Sequence, residues 1–369
     1  MREVVINPKD ELSAAQRLKA GMLEAAYKIY RRASSSGGLK EDDEWLHATG
    51  ADPDWNESYY FNFFDSEKGV GGFTRIGLLP NKERDVGILV VSLRKGSILA
   101  TAFDMKSSVQ PGKLSIGGLE FSLCEPLKRW RVRYAGELVS MDDSRMLSHI
   151  DEGKAEAFKR VNVEIELTFD ALSPCFDFKD ADPAALAEMI VSRKTRLKDL
   201  RKVSRISHGH YEQACYVRGS IADGNGDGVS VDGTGHRDHS WGVRDWSAPK
   251  SWTWLTCQFP GNMAFNLSRV VVGTMDVFNG FVFRGGANHP VRKAMVETLF
   301  EEDGITQKEV AIRIWDSGGL EHSVSGKVET LVPLDLRAQG HNTIVNEALT
   351  RYRLGDREGM GISEYLRQL

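Results

Sequence analysis

Between Gly233 and Trp246 the chain reads GTGHRDHSWGVRDW, which gathers two histidines, two aspartates, two arginines and two tryptophans into fourteen residues. An imidazole beside a carboxylate and an indole can move a proton to or from a molecule held against a flat apolar surface. If Arg237 to Trp241 is extended, successive side chains alternate, so Arg237, His239 and Trp241 share one face while His236, Asp238 and Ser240 share the other. One of these faces is expected to line a cavity, and Gly235 and Gly242 allow the strand to bend or to approach a ligand closely. The same residues also read as a polar network that pins a barrel corner through Arg–Asp pairs and a packed Trp.

Two further segments carry candidate chemistry. WNESYYFNFF (Trp55 to Phe64) puts Ser58, Tyr60, Asn62 and Phe64 on one face and Glu57, Tyr59, Phe61 and Phe63 on the other. Both faces are aromatic, so the strand is expected to be covered on both sides, with Glu57, Tyr59 and Tyr60 available to a ligand pocket. HYEQ (His210 to Gln213) places Glu212 in an otherwise buried strand. There Glu212 is either a general acid raised in pKa by burial or the partner of an arginine such as Arg244.

A metal is the natural rival, because His236 and His239 have HxxH spacing and His208 and His210 form HGH. On a strand that spacing sends the two imidazoles to opposite faces, so no metal site is expected. The run Asp223, Asn225, Asp227, Gly228 resembles the start of a calcium loop, but Thr234 stands at the twelfth position where a bidentate Glu is needed. A glycine-rich hairpin turn is the better reading.

These segments must be positioned by strands. Helical periodicity is confined to Asp10–Arg32 and to Asp182–Lys202, the second read as a connector near mid-chain. Elsewhere short runs of β-branched and aromatic residues alternate with Gly, Pro, Asn and Asp, and end in a hairpin, Ala348–Arg353 and Gly359–Tyr365, around GDREG. Glycine numbers 36 of 369 residues, about a tenth, which implies many tight turns. The fold class expected is therefore all-β, two consecutive antiparallel barrels with an N-terminal helix and a connecting helix. The divisions are 1–45 (helical extension), 46–180 (first barrel), 181–204 (connector) and 205–369 (second barrel, carrying HRDHSW).

Composition excludes several functions. The net charge of -4 offers no positive field for nucleic acid. There is no run of ~18 apolar residues and no secretory signal, which points to a cytoplasmic protein without a membrane span. Cys124, Cys175, Cys215 and Cys257 form no CxxC pair. No GxGxxG or Walker sequence appears, so no cofactor is expected. The apolar stripe of the N-terminal helix suits its own barrels or a second copy in a homodimer.

At GHRDHSWG the sequence resembles the carotenoid 1,2-hydratase-like family, which shares two lipocalin-like barrels with kievitone hydratase-like proteins and fungal Diels-Alderases. WNESYYFNFFD, HYEQ, GHRDHSWGVRDW and NEALTRYRLGDREGMGISEYL resemble a largely uncharacterised group within it, over roughly Trp55 to Leu366. In the hydratases the corresponding His and Trp, with a Tyr-x-Asp pair further on, protonate an alkene and guide water. The resemblance carries the first two to His239 and Trp241, whereas the second region reads Asn266, Leu267, Ser268 and holds no carboxylate. The acid must then come from Asp238, Glu212, Glu57 or Asp276.

The expected function is a cofactor-independent lyase or isomerase acting on a hydrophobic terpenoid or aromatic molecule. His239, Asp238 and Glu212 would be catalytic. Trp241, Tyr60, Tyr59, Arg237, Arg244, Glu57 and His236 would bind the substrate. The alternative is a carrier of a hydrophobic metabolite.

Overall fold

The structure is a computed structural model that describes residues 1–8, 12–34, 38–149, 158–192, 209–223, 228–244, 249–336 and 342–369. The period-two runs fold as strands. The chain opens with β1 (Arg2–Asn7) and helix α1 (Ala14–Ser34). There follow β2 (Trp55–Asp65), β3 (Val70–Leu79), β4 (Arg84–Arg94), β5 (Ser97–Met105), β6 (Ser108–Gln110), β7 (Lys113–Ile116) and β8 (Leu119–Glu125). Next come β9 (Arg129–Met141), β10 (Arg160–Ala171), β11 (Phe176–Asp177), helix α2 (Pro183–Ser192), β12 (Gly209–Asp223) and β13 (Gly228–Val243). The last eight strands are β14 (Ser251–Phe259), β15 (Met263–Val272), β16 (Met275–Arg284), β17 (Ala287–Phe300), β18 (Gln307–Asp316), β19 (Glu321–Asp335), β20 (Thr343–Leu354) and β21 (Arg357–Gln368).

Strands β14 to β21 form an antiparallel ring in the order β17-β16-β15-β14-β21-β20-β19-β18, closed by β17 against β18. β1 runs along the part of the β17 edge that β16 leaves open, pairing Arg2 with Leu299 and Asn7 with Ala294. The other sheet runs β10-β12-β13-β2-β3-β4-β5-β9 and returns on itself where β9 pairs with β10, while β8, β7 and β6 extend from the remaining edge of β9. All-antiparallel closure pairs the edges of the barrel strands, leaves β6 and β1 as outer edges, and gives each barrel an inner and an outer face.

Three expectations change here. The HYEQ and HRDHSW strands, β12 and β13, pair with β10 and β2 in the first sheet and not with the strands of the second barrel. Side-chain pattern announces a strand but not its partner, and the mid-chain helix was a poor guide to where one sheet ends. That helix ends at Ser192 among the described residues, and Ala185 and Met189 pack on the second barrel's core; 193–202 of the expected helix lie outside those residues. The segment 1–45 was expected to be only helical, yet it supplies β1 to the second sheet. α1 begins at Ala14 and lies on α2, with the Gln16 amide donating to Val191 O at 2.9 Å.

Three apolar clusters matter for the site. Tyr59, Phe61, Phe121, Trp130 and Phe169 fill the first barrel, and Leu255, Phe265, Ile312 and Tyr352 fill the second. The third lies between them: Tyr60, Phe64 and Phe73 on the outside of the first barrel meet Trp254, Leu349 and Ile362 on the outside of the second. This seam requires a close approach in the second barrel. A Cβ on Gly361 would stand 1.8 Å from the carbonyl oxygen of Thr256 across the β14–β21 pair. Gly361→Ala is expected to lower stability by about 3 kcal/mol, read from the urea midpoint; an unchanged midpoint would show that the ladder can move aside.

Candidate functional site

β13 lies between β12 and β2 and is buried on both faces for most of its length. Its outward face, with those of β12 and β2, presents His236, Asp238, Glu212, His210 and Tyr60 to the seam. Its inward face presents Arg237 and His239 to the first barrel's interior. One strand thus supplies two polar clusters on opposite sides of one sheet.

On the seam side, Glu212 is fully buried. Its Oε2 lies 2.7 Å from His236 Nε2. Trp254 donates its indole N–H to the carboxyl at 3.0 and 3.1 Å, and the Asn266 amide donates to Oε2. His236 Nδ1 is 3.1 Å from Thr256 Oγ1. Burial pushes Glu212 up to about 8 despite the opposing Trp254 and Asn266 bonds. Burial pushes His236 down to about 3. At neutral pH the pair is therefore uncharged, with one proton shared along the Nε2···Oε2 line. The carbonyl oxygens of Asn266 and Gln258, whose amide nitrogens face Glu212 and His236, are buried acceptors that no protein donor reaches.

The seam continues past this pair. Burial, with the Glu212 charge, pushes Asp238 up to about 8, although its side chain keeps 19% of its surface exposed. His210 Nε2 stands 3.4 Å from Glu212 and 4.0 Å from Asp238, and burial holds its pKa well below the usual imidazole value. Tyr60 donates its hydroxyl to Glu347, and Trp252 donates to Glu364. Burial pushes Glu364 up to about 7 and Glu347 well above the carboxylate range. The guanidiniums of Arg75 and Arg244 face Asp238, and burial lowers Arg75 to about 10. Displaced titrations concentrated on one surface mark a functional site more often than a structural one.

Inside the first barrel the chemistry differs. Arg237, 2% exposed, donates to Glu44 at 2.7 and 3.3 Å, to Gln213 at 2.8 Å and to the Tyr211 hydroxyl at 3.2 Å. Glu44 also accepts from the Trp130 indole and from the Leu127 backbone at 2.8 Å. A buried ion pair with every lone pair and proton engaged closes this end of the barrel. Next to it, His239 Nε2 is 2.9 Å and His47 Nδ1 2.8 Å from Glu57 Oε1. Burial raises the Glu57 pKa, but the bonds from His239 and His47 outweigh it, and the carboxyl titrates below its ordinary value. Trp241 stacks on His47 with centroids 3.8 Å apart, and Tyr59 stacks on His239 at 4.1 Å.

The expected catalytic set therefore divides. Glu212 and Asp238 lie on the seam and His239 lies behind the sheet, so the three expected catalytic residues do not share one site. The expected binding pair also separates: Tyr60 faces the seam, where it meets Trp254 edge-on at 5.3 Å, and Trp241 faces His47. Arg237, Tyr59 and Glu57 are inward, with Arg237 committed to Glu44; His236 and Arg244 join the seam. Of the two readings of Glu212, the partnership with an arginine such as Arg244 gives way to a bond with His236. His236 and His239 occupy opposite faces, as the strand spacing required. His208, Trp246 and 224–227 of the calcium-like loop lie outside the described residues.

Glu44, His47, Trp254, Glu347 and Glu364 escaped the sequence reading. The signal that picked out Glu212, an acid in an apolar strand, also marks Glu347 and Glu364 in NEALTRYRLGDREGMGISEYL. Glu44 and His47 lie between α1 and β2, outside any strand, and carry no such signal.

The two filled barrels and the polar seam between them define a double-barrel protein of lipocalin-like fold. Residues 40–369 match the family described as a domain of unknown function (DUF7064), and the chain belongs to that family. No curated protein matches it significantly by sequence. Among solved structures it is similar to an AttH candidate (NE1406) from Nitrosomonas europaea, with a TM-score of 0.56, 13% identity and coverage of 91% of this chain and 98% of that one. It is also similar to kievitone hydratase from Nectria haematococca, with a TM-score of 0.50, 10% identity and coverage of 84% and 88%. At these identities the likeness is one of fold, and at that level it agrees with the resemblance carried by the motifs.

Two stability measurements test this geometry. Glu44→Gln leaves Arg237 a buried charge without its counterion and is expected to cost about 3–5 kcal/mol in denaturant unfolding; a loss below about 1 kcal/mol would contradict the pairing. Glu212 keeps its proton to about pH 8 when folded but releases it near 4.5 when unfolded. Across that window the folded chain binds more protons, so this group's contribution to stability falls as pH rises. Glu212→Gln, neutral throughout, should gain Tm relative to the parent between pH 5 and pH 8; parallel Tm curves would show that the carboxyl is ionised in the fold.

Proposed function

We propose that the protein is a lyase of the hydro-lyase type, adding water to or eliminating it from a hydroxylated, largely apolar terpenoid or aromatic molecule in the seam between the barrels. The observation that carries this reading is Glu212: a buried carboxyl bonded to His236 and, among the described residues, without a paired Lys or Arg to ionise it. A group that is protonated at neutral pH and surrounded by low-dielectric walls is a competent general acid.

In the hydration direction Glu212 gives its proton to one alkene carbon, and the neighbouring carbon becomes electron-poor. Trp254 meets Glu212 through its indole N–H and Tyr60 edge-on, so an aromatic face turned to that carbon in this seam would favour its positive charge. Water then forms the C–O bond, and its surplus proton returns to the Glu212–His236 pair, which leaves the protein unchanged. Elimination is the reverse. The acceptor oxygens of Asn266 and Gln258 suit the attacking water or the substrate hydroxyl, which favours hydration chemistry over isomerisation. These steps use side chains and water alone.

We assign the apolar part of the substrate to the same seam. A cleft of about 270 Å³ is lined by Phe64, Leu349 and Met360, with Lys95 and Arg351 among its polar residues. Phe64 projects from the same face of β2 as Tyr60, and Leu349 from the same face of β20 as Glu347.

The test is incubation of the purified chain with terpenoid and prenylated aromatic alkenes and alcohols in isotopically labelled water, with products read by mass spectrometry. Label in the product is expected, with turnover lost as pH rises through about 8. Glu212→Gln should lower kcat by about 10²–10⁴ while the fold is kept. Undiminished turnover in that variant, or ligand recovered unmodified from the parent protein, would overturn the reading.

A further inference from the structure

The inward cluster on the far side of the sheet is not used by the seam chemistry, and its donor atoms suit a different ligand. Ligand atoms, one each from His47, Glu57 and His239, lie within 4.8 Å of one another, and His47 Nδ1 and His239 Nε2 both reach Glu57 Oε1. They come from three separate parts of the chain: the segment before β2, β2 itself, and β13. We propose that His47, Glu57 and His239 form a binding site for one borderline divalent transition ion, of which zinc is the type.

Several observations carry this. Both imidazoles aim a nitrogen at the same oxygen, Glu57 Oε1, at 2.8 and 2.9 Å, and the His47 backbone N–H also approaches that oxygen at 3.2 Å and its twin at 3.0 Å. For both rings to bond that oxygen, each must carry its proton on the near nitrogen. The far nitrogens, His47 Nε2 and His239 Nδ1, are then bare acceptors, and both are buried with no hydrogen-bond partner. A cation reverses this arrangement. The near lone pairs bind the metal, and the far nitrogens become N–H donors. His47 Nε2 faces Asp43 Oδ1 at 3.7 Å, so it becomes a donor directed at a carboxylate, the relation that ordinarily supports a metal-bound histidine.

Two nitrogens and one carboxylate oxygen leave a fourth position open, a ligand set that suits zinc and its neighbours; magnesium and calcium prefer all-oxygen shells. Metal bonds of about 2.0–2.1 Å place tetrahedral ligands about 3.3 Å apart, so the two histidine–Glu57 pairs, now at 2.8 and 2.9 Å, need open by only about 0.5 Å. The rings are already oriented by stacking, His47 on Trp241 and His239 on Tyr59. His47 keeps 20% of its side chain exposed, which provides a route in from solvent.

The test uses the full chain, stripped with a chelator and titrated with Zn²⁺ by calorimetry and with Co²⁺ by visible absorption. One equivalent of Zn²⁺ is expected to bind and to raise Tm, and Co²⁺ should develop the absorption bands of a four-coordinate nitrogen–oxygen site. His47→Ala should abolish both while far-UV circular dichroism stays unchanged. Asp43→Asn, which removes only the carboxylate behind His47, should weaken Zn²⁺ binding by about 10–100-fold. Absence of a stoichiometric site, or parental affinity in both variants, would overturn the proposal. Because Glu212 and His236 lie across the sheet, neither result depends on whether the seam is catalytic.

Discussion

A β-strand turns successive side chains to opposite sides, and β13 is buried on both of them. Most of the functional architecture follows from that constraint. Were β13 an edge strand or half exposed, its charged residues could be solvated one at a time. Between β2 and β12 it must instead find a partner for every polar group it carries inward and outward. The inward groups meet Glu44 and Glu57; the outward His236 meets Glu212 and the second barrel's Thr256, and Trp254 and Asn266 of that barrel donate to Glu212 in turn.

The two faces solve this problem in opposite ways. Inside, full charges are kept and paired: the Arg237 guanidinium against Glu44, with Trp130, Tyr211 and Gln213 taking the remaining valences. Such a pair adds little net stability, since desolvation offsets attraction, but it fixes where the 41–50 segment closes the barrel. On the seam the carboxyls have few cations to meet and are pushed toward neutrality. Burial there creates acids that hold their protons at neutral pH, with carboxyl values displaced to about 7 and about 8 at Glu364 and Glu212. The difference between the two polar clusters here is the supply of compensating charge.

Asn266 links the fold comparison to the chemistry. The motif resemblance leads to an acid one hairpin beyond HRDHSW, and this chain has Asn266, Leu267 and Ser268 instead. In the structure Asn266 sits on β15 at the seam and directs its amide to Glu212. The acid we propose, Glu212, comes instead from the other side of the seam, on HYEQ. A scaffold of two facing barrels allows this exchange because either wall can supply a group to the same gap.

The sequence alone determined what depends on near neighbours. The period of two along WNESYYFNFF and HRDHSW sorted residues onto faces correctly, so Glu57 and Tyr59 separate from Tyr60, and His239 from Asp238. The all-β class and the burial of Glu212 follow from the same local signals. Only the tertiary structure decided which strands pair, and with that the seam: β13 joins β2 some 180 residues earlier in the chain. It also brought Glu44 and His47, from a segment with no periodic signature, onto Arg237 and Glu57. Alternation is written in the backbone geometry of each strand, whereas partner choice is a comparison of whole buried surfaces, and no short window of sequence contains both sides of it.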